Sequence, residues 1–155
     1  MLPVAPEHPA RRTPAPSSPA ATATGKANRG RDTRPERLLR SELHRRGLRF
    51  RVHQRPVANI RATVDIVFRS ARTLVFVDGC FWHSCPQHGN LPKANRDWWA
   101  AKLDANVARD RANDAAFRAR GWTVIRVWEH EPTEAAADRI VRCLESAGPM
   151  TGESE

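Results

Sequence analysis

Between Thr33 and Ala147 the hydrophobic pattern switches repeatedly between helical and strand periods, and the order of those switches restricts the fold more than any other feature. Leu38, Leu39 and Leu43 form a helical stripe. Thr33 and Glu36 ahead of it have capping-box spacing, and Gly47 supplies a stop. Leu48, Phe50 and Val52 then alternate with polar residues, as in a half-buried strand. Two further apolar runs, 63–68 and 73–77, are joined by Arg69-Ser70-Ala71-Arg72, a length that suits a hairpin. A loop follows from Asp78-Gly79. After it comes a long helix, from Asn95 or Arg96 to Arg120, closed by Gly121. Trp99, Leu103, Val107, Asp110, Asp114 and Phe117 lie along one side of it. A strand over 122–128 and a helix over 133–147, with Ile140 and Leu144 facing inward, complete the pattern. Helix, three strands, helix, strand, helix, with no internal repeat, predicts an α/β domain whose mixed sheet carries helices packed against it.

Composition divides the chain. Residues 1–32 are rich in Pro, Ala, Thr and Ser, with few large apolar side chains to offset the entropy of ordering, and are expected to form a disordered arm. A transit peptide is the other reading of this Arg-containing, acid-poor stretch. Lys26, Arg29, Arg31 and Arg34 make its later part basic enough to track a DNA backbone. The folded domain is expected over 33–147, with a flexible tail over 148–155. Lys and Arg outnumber Asp and Glu by 26 to 17, for a formal charge of +9, and such an excess favours a polyanionic partner. Cys80, Cys85 and Cys143 are too few, and odd in number, for a disulfide framework, which fits a reducing cytoplasmic setting. No apolar run approaches the roughly 18 residues that span a bilayer, so no membrane partner is expected.

Three groups of residues bear chemistry. Asp65 stands inside Val64-Asp65-Ile66-Val67-Phe68, where an ionised carboxylate is costly unless it is paired or binds a metal. Alternation equally allows it to face solvent on a one-sided strand. If its strand pairs with 73–77, Asp65 lies near the following loop and His83. A carboxylate, a backbone carbonyl and a histidine are the parts needed for magnesium-assisted phosphodiester hydrolysis. The second group is a soft-metal set. Cys85 and His88 have C-x-x-H spacing, and with His130 and Asp110 they would close a tetrahedral zinc shell. Cys143, between Val141 and Leu144, reads as core packing. The third group is Phe81, Trp82, Trp98 and Trp99. Adjacent tryptophans point about 100° apart on a helix, so an exposed aromatic surface is expected, flanked by Lys93, Arg96 and Lys102.

The stretch Phe76-Val77-Asp78-Gly79-Cys80-Phe81-Trp82-His83-Ser84-Cys85-Pro86-Gln87-His88 resembles the signature of the very short patch repair (Vsr) endonucleases. Asp32-Thr33-Arg34-Pro35-Glu36, Gly47 to Val52, Leu91-Pro92-Lys93, Asn106 to Arg111, Gly121-Trp122 and Val127-Trp128-Glu129-His130 resemble that family in the same order, over roughly residues 25–145. The resemblance implies a restriction-endonuclease-like fold and cleavage on the 5′ side of the thymine in a T:G mismatch, a lesion left by deamination of 5-methylcytosine. It implies that Asp65 and the Val77 carbonyl bind magnesium, that His83 is the catalytic histidine, and that Glu36 supports the metal–water network. Cys85, His88, Asp110 and His130 resemble the structural zinc set. Phe81, Trp82 and Trp99 resemble an aromatic wedge entering mismatched double-stranded DNA, where opening a poorly stacked step costs less. Lys93 and Arg96 are expected along the phosphates. Some relatives carry an intercalating methionine where Gly25 stands here, and a threonine where Val77 stands. Single-strand cutting needs only a monomer, and other mismatch-repair proteins are further candidate partners. Two rival readings are a restriction-like nuclease that needs no mismatch and a zinc-supported DNA-binding module without catalysis. The second gives Asp65 and His83 no role.

Overall fold

The apolar runs pair as their alternation requires. In the computed structural model, which describes residue 15 and residues 31–148, strands β1 (Arg51–Gln54), β2 (Val64–Phe68), β3 (Thr73–Asp78) and β4 (Thr123–Trp128) form one sheet in that order. β1 pairs antiparallel with β2, and β2 with β3, while β3 and β4 run parallel. A parallel neighbour requires a long crossover, which helix α2 (Arg96–Ala119) supplies. Helix α1 (Arg34–Arg45) precedes the sheet and α3 (Thr133–Ser146) follows it. The mixed α/β class expected from the sequence is the one observed. The expected arm and tail, with Gly25, Lys26 and Arg29, lie outside the described residues apart from Ala15, Arg31, Asp32 and Gly148.

Two cores sandwich the sheet. On one face Leu39 and Leu43 of α1 and Ala136, Ala137 and Ile140 of α3 pack against Ile66, Phe68, Val75, Ile125 and Val127. On the other, Phe117 of α2 meets Val67, Leu74, Phe76 and partly buried Val124. Leu43, Ile66 and Ile140 are fully buried, and each such side chain stabilises the fold by about 1.5–3 kcal/mol. Cys143 packs against the α1/α3 core as expected.

Gly47 and Gly121 end their helices in the way the sequence foretells. Both adopt positive φ, 80° and 78°. Gly47 N–H bonds the His44 carbonyl and Leu48 N–H that of Leu43, and the same pairing recurs from Gly121 and Trp122 to Arg118 and Phe117. These are Schellman closures, which need a left-handed residue. The first closure consumes the Leu48 N–H, so β1 pairs only from Arg51, later than the alternation of Leu48, Phe50 and Val52 suggests; Leu48 and Phe50 pack on the core instead. The N-terminus of α1 also departs from expectation. The Thr33 side chain makes no cap bond to the backbone; its hydroxyl donates to Glu36 Oε1 at 3.1 Å.

Glu42 braces the two helices on that face. It accepts from Arg45 and Arg46, and Arg46 reaches Asp138 of α3. Hydrogen bonds from Arg45 and Arg46 hold its carboxyl down at about 2, against an ordinary 4.5. A depressed carboxylate contributes stability that is present above its unfolded pKa and lost as pH falls through the folded one. Glu42→Gln should therefore melt slightly lower at pH 6, as loss of a solvent-screened surface pair does, with the difference closing between pH 4.5 and about 2. A thermal melt series over that range checks this.

Candidate functional site: a carboxylate–histidine cleft beside a thiolate cluster

Strand alternation decides which polar side chains gather. Asp65 shares its face of β2 with Val67, while Asp78 and Arg126 alternate with the residues of β3 and β4 that face the other core, so all three project on the α2 side. Together with Glu36, His83 and Asp110 they line a cleft of about 540 Å³ that also includes Val77, Arg61 and Arg109. The sequence-predicted residues Glu36, Asp65, Val77 and His83 are thus brought to one place.

Asp65 Oδ2 accepts the Val77 N–H at 2.7 Å, so the contact seen between this pair is made through the amide of Val77. Among the described residues no donor reaches the other oxygen. Burial pushes the Asp65 carboxyl up to about 6, against the Val77 hydrogen bond, and the nearby charges of Glu36 and Asp78 add to the rise. A desolvated carboxylate among other carboxylates, with an oxygen to spare, is the donor set that suits a hard dication.

His83 is clamped from one side. Its Nδ1 meets Asp110 Oδ2 at 2.5 Å, and Nε2 lies 3.8 Å from Asp78 Oδ1, beyond hydrogen-bond reach. An Nδ1–H donated to Asp110 leaves the Nε2 lone pair facing the cleft in the neutral ring. Burial disfavours the charged imidazole, but the Asp110 hydrogen bond and the Asp78 and Asp110 charges outweigh it and raise the pKa. Asp110 moves the other way: burial opposes its charge, and the bond to His83 prevails.

This corrects one expectation from the sequence. Asp110 stands against His83 and outside the Cys/His group, in which the structure places Cys80 beside Cys85, His88 and His130. Cys80, Cys85, His88 and His130 bring their ligand atoms within 4.8 Å of one another. The sulfur of Cys80 lies 3.1 Å from His130 Nδ1, and that of Cys85 lies 3.7 Å from the same nitrogen and 3.9 Å from His88 Nδ1. A tetrahedral ion bonded to sulfur at about 2.3 Å and nitrogen at about 2.0 Å spaces its ligand atoms about 3.5 Å apart, so the observed set fits. Burial and the neighbouring Cys85 push the Cys80 thiol up to about 11. Cys85 falls despite burial, because hydrogen bonds from Gln87 and His88 favour its thiolate. A second thiolate beside Cys85 is disfavoured, and a dication bound by both sulfurs would remove that penalty.

The loop between Gly79 and Gly89 joins the two centres. Cys85 N–H bonds the Cys80 carbonyl, and Gly89 N–H bonds that of Cys85. A Cβ on Gly89 would stand 2.6 Å from the Cys85 carbonyl oxygen, so a side chain there would displace a cluster residue. Ser84 holds the turn with a φ of 52°. Asn106 of α2 is buried and donates to the Trp82 carbonyl at 3.2 Å. Phe81, Trp82, Trp98 and Trp99 form edge-to-face and tilted contacts, and Trp82 is 36% exposed. Lys93 and Arg96 are exposed at the approach to α2.

Sequence reasoning also missed the ion-pair network beneath the cleft. Arg126 donates from Nη1 to both oxygens of Asp78 at 3.0 Å, and from Nη2 to Asp114 at 2.7 Å. Its guanidinium lies over the Phe76 ring. The strand pattern offered only a half-buried basic residue at 126, and nothing in it named two acidic partners.

A family model described as DNA mismatch endonuclease Vsr matches residues 20–88. The chain is 41% identical over 133 residues to the type II nicking enzyme V.NaeI of Lentzea aerocolonigenes, covering 84% of this chain and 80% of that one. It is 46% identical over 111 residues to the type II nicking enzyme V.XorIIP of Xanthomonas oryzae pv. oryzae, covering 70% and 79%. With the DNA mismatch endonuclease Vsr of Escherichia coli it shares 37% identity over 102 residues, 64% of this chain and 62% of that protein. This chain belongs to the family of Vsr DNA mismatch endonucleases.

Proposed function

We propose that this Vsr-family endonuclease nicks one strand of duplex DNA on the 5′ side of the thymine in a T:G mismatch, with magnesium in the Asp65 cleft and structural zinc in the thiolate cluster. The observation that carries this reading is the meeting of Asp65, Glu36 and the His83–Asp110 pair in one open cleft, on a chain of this family. The names of the nicking relatives agree with single-strand cutting. A mixed sheet with helices on both faces supports a restriction-endonuclease-like fold.

Asp65 and the Val77 carbonyl would hold magnesium, which supplies polarisation of the scissile phosphate and stabilises charge on the attacking and leaving oxygens. His83 Nε2, free while Nδ1 is bonded to Asp110, takes the proton of the attacking water. Glu36, its oxygens held by Thr33, Asp32 and His53, would support the metal–water network through its charge beside Asp65. Phe81, Trp82 and Trp99 enter beside the mismatch, and Lys93 and Arg96 follow the phosphates. Cys80, Cys85, His88 and His130 would give zinc four protein ligands and leave no open position, which suits a structural role.

The division of labour yields a prediction. Asp110→Asn removes the carboxylate that orients His83, so nicking should fall within the roughly 10²–10⁴-fold range that a positioned acid–base group supplies. Zinc content, measured by plasma emission, should stay at the wild-type value; loss of the metal would restore Asp110 to the cluster.

To test the reading, a duplex with a single T:G pair is labelled on each strand in turn and incubated with magnesium or with a chelator. One product, ending immediately 5′ of the thymine and formed only with magnesium, is expected. Cutting of both strands, or equal cutting in the chelator, would overturn it.

A further inference from the structure

Glu36 is only 3% exposed, and both of its oxygens are occupied. Oε1 accepts from the Thr33 hydroxyl at 3.1 Å. Oε2 accepts from the Asp32 N–H at 3.0 Å and lies 3.4 Å from His53 Nε2. The first two donors belong to the segment that opens α1. His53 alone comes from the sheet. The ladder registers Val52 with Ile66 and Gln54 with Val64, which sets His53 opposite Asp65 on the neighbouring strand.

The backbone is held in a disfavoured state on both sides of Glu36. Asp32 and His53 have φ of 54° and 50°, the left-handed region that a Cβ resists. For His53 this occurs inside a strand whose neighbours pair normally. Such conformations persist where the surroundings over-determine them, and they gather at functional sites. Asp32, Glu36 and His53 lie close enough to suggest a cation site of their own. However, the Asp32 carboxylate is taken by Arg40 at 2.6 Å and the Glu36 oxygens are filled by donors. The set is a brace.

We infer that His53 is a positioning residue of the nuclease centre: from its place across the ladder from Asp65, its imidazole fixes the Glu36 carboxylate of α1 relative to the Asp65 strand. This rests on the reading of Asp65 and Glu36 as the carboxylates that serve the catalytic cation. Without His53, Glu36 would be tied only to its own helix, and its distance from Asp65 would follow the motion of α1 against the sheet.

The test uses zinc-loaded full-length protein and compares His53→Ala, His53→Gln, Glu36→Gln, the His53→Ala/Glu36→Gln double variant, and Asp65→Asn. The readouts are kcat and KM for a mismatched duplex with magnesium, Mn²⁺ affinity without DNA from the paramagnetic resonance signal of free Mn²⁺, and melting temperature. His53→Ala should lower kcat and Mn²⁺ affinity by about 10–100-fold, as loss of outer-shell partners does, with KM little changed. His53→Gln, whose amide N–H can reach the same oxygen, should recover much of both, and it carries the test if the alanine variant folds poorly. In the Glu36→Gln background His53→Ala should add little, because the two act as one unit. Wild-type kcat and Mn²⁺ affinity in His53→Ala would overturn the inference. So would fully additive losses, or equal loss in the alanine and glutamine variants tracking melting temperature alone. Asp65→Asn separates the two failures: if it still nicks, the catalytic reading falls, whereas an inactive Asp65→Asn beside an unaffected His53→Ala removes only the brace.

Discussion

Asp65→Asn should lower magnesium-dependent nicking by about 10³-fold or more while raising, or at least preserving, the melting temperature. The rate loss follows from removing the charged ligand of a cation that supplies several kcal/mol of charge stabilisation. The stability gain follows from the pKa. With its folded value pushed from 3.8 up to about 6 by burial, ionised Asp65 destabilises the protein increasingly as pH rises from the lower value through the higher. Above pH 6 the cost levels off at about 3 kcal/mol. An asparagine still accepts the Val77 N–H and carries no charge, so the melting gain should be present at pH 7.5 and vanish near pH 4. Measured nicking rates and a two-pH melt together separate a functional carboxylate from a packing residue. A variant that loses stability at pH 7.5 would mark Asp65 as structural.

Cys80→Ser should have the largest effect on folding. The four ligand atoms of the cluster come from the loop after β3 and from His130 just beyond β4, so an ion there joins segments about fifty residues apart. Binding free energy of a structural metal is folding free energy. Loss of the bound zinc and a fall in melting temperature on the order of 10 °C are expected, and a chelator should reproduce that fall in the wild-type protein. Nicking should be lost with it, because the same loop carries Phe81, Trp82 and His83. A Cys80→Ser protein with full zinc content and an unchanged melt would remove Cys80 from the cluster.

How these sites could be read from the sequence depends on the range of the interaction. Strand alternation and glycine stops are local, and they placed the helices and strands β2 to β4 within a residue or two, while β1 starts three residues later than its alternation suggests and the face of Asp65 stayed open. The C-x-x-H pair is equally local, and both of its members are in the cluster. The fourth ligand was not legible. Helical spacing shows that Asp110 projects from the same side of α2 as Phe117, but not how far along the sheet it arrives; it meets His83 and not His130. Cys80 lies five residues ahead of Cys85, outside the C-x-x-H spacing, so that spacing gave it no place in the set. Glu36 illustrates the converse. Its spacing from Thr33 suggested a capping box, yet its oxygens are spent on Thr33, Asp32 and His53, and both Asp32 and His53 have positive φ. Backbone strain of that kind leaves no mark on composition or period. The Arg126 network was invisible for the same reason as Asp110: both partners are fixed by the parallel β3–β4 register and the crossover helix, which only the fold supplies.

Mismatch-dependent nicking is tested most directly by the nicking rate on two end-labelled duplexes that differ in one base pair, T:G or C:G, in the same flanking sequence with magnesium. A nick 5′ of the thymine is expected in the mismatched duplex and none in the matched one. Equal cutting of both would contradict it and identify a restriction-like nuclease that needs no mismatch.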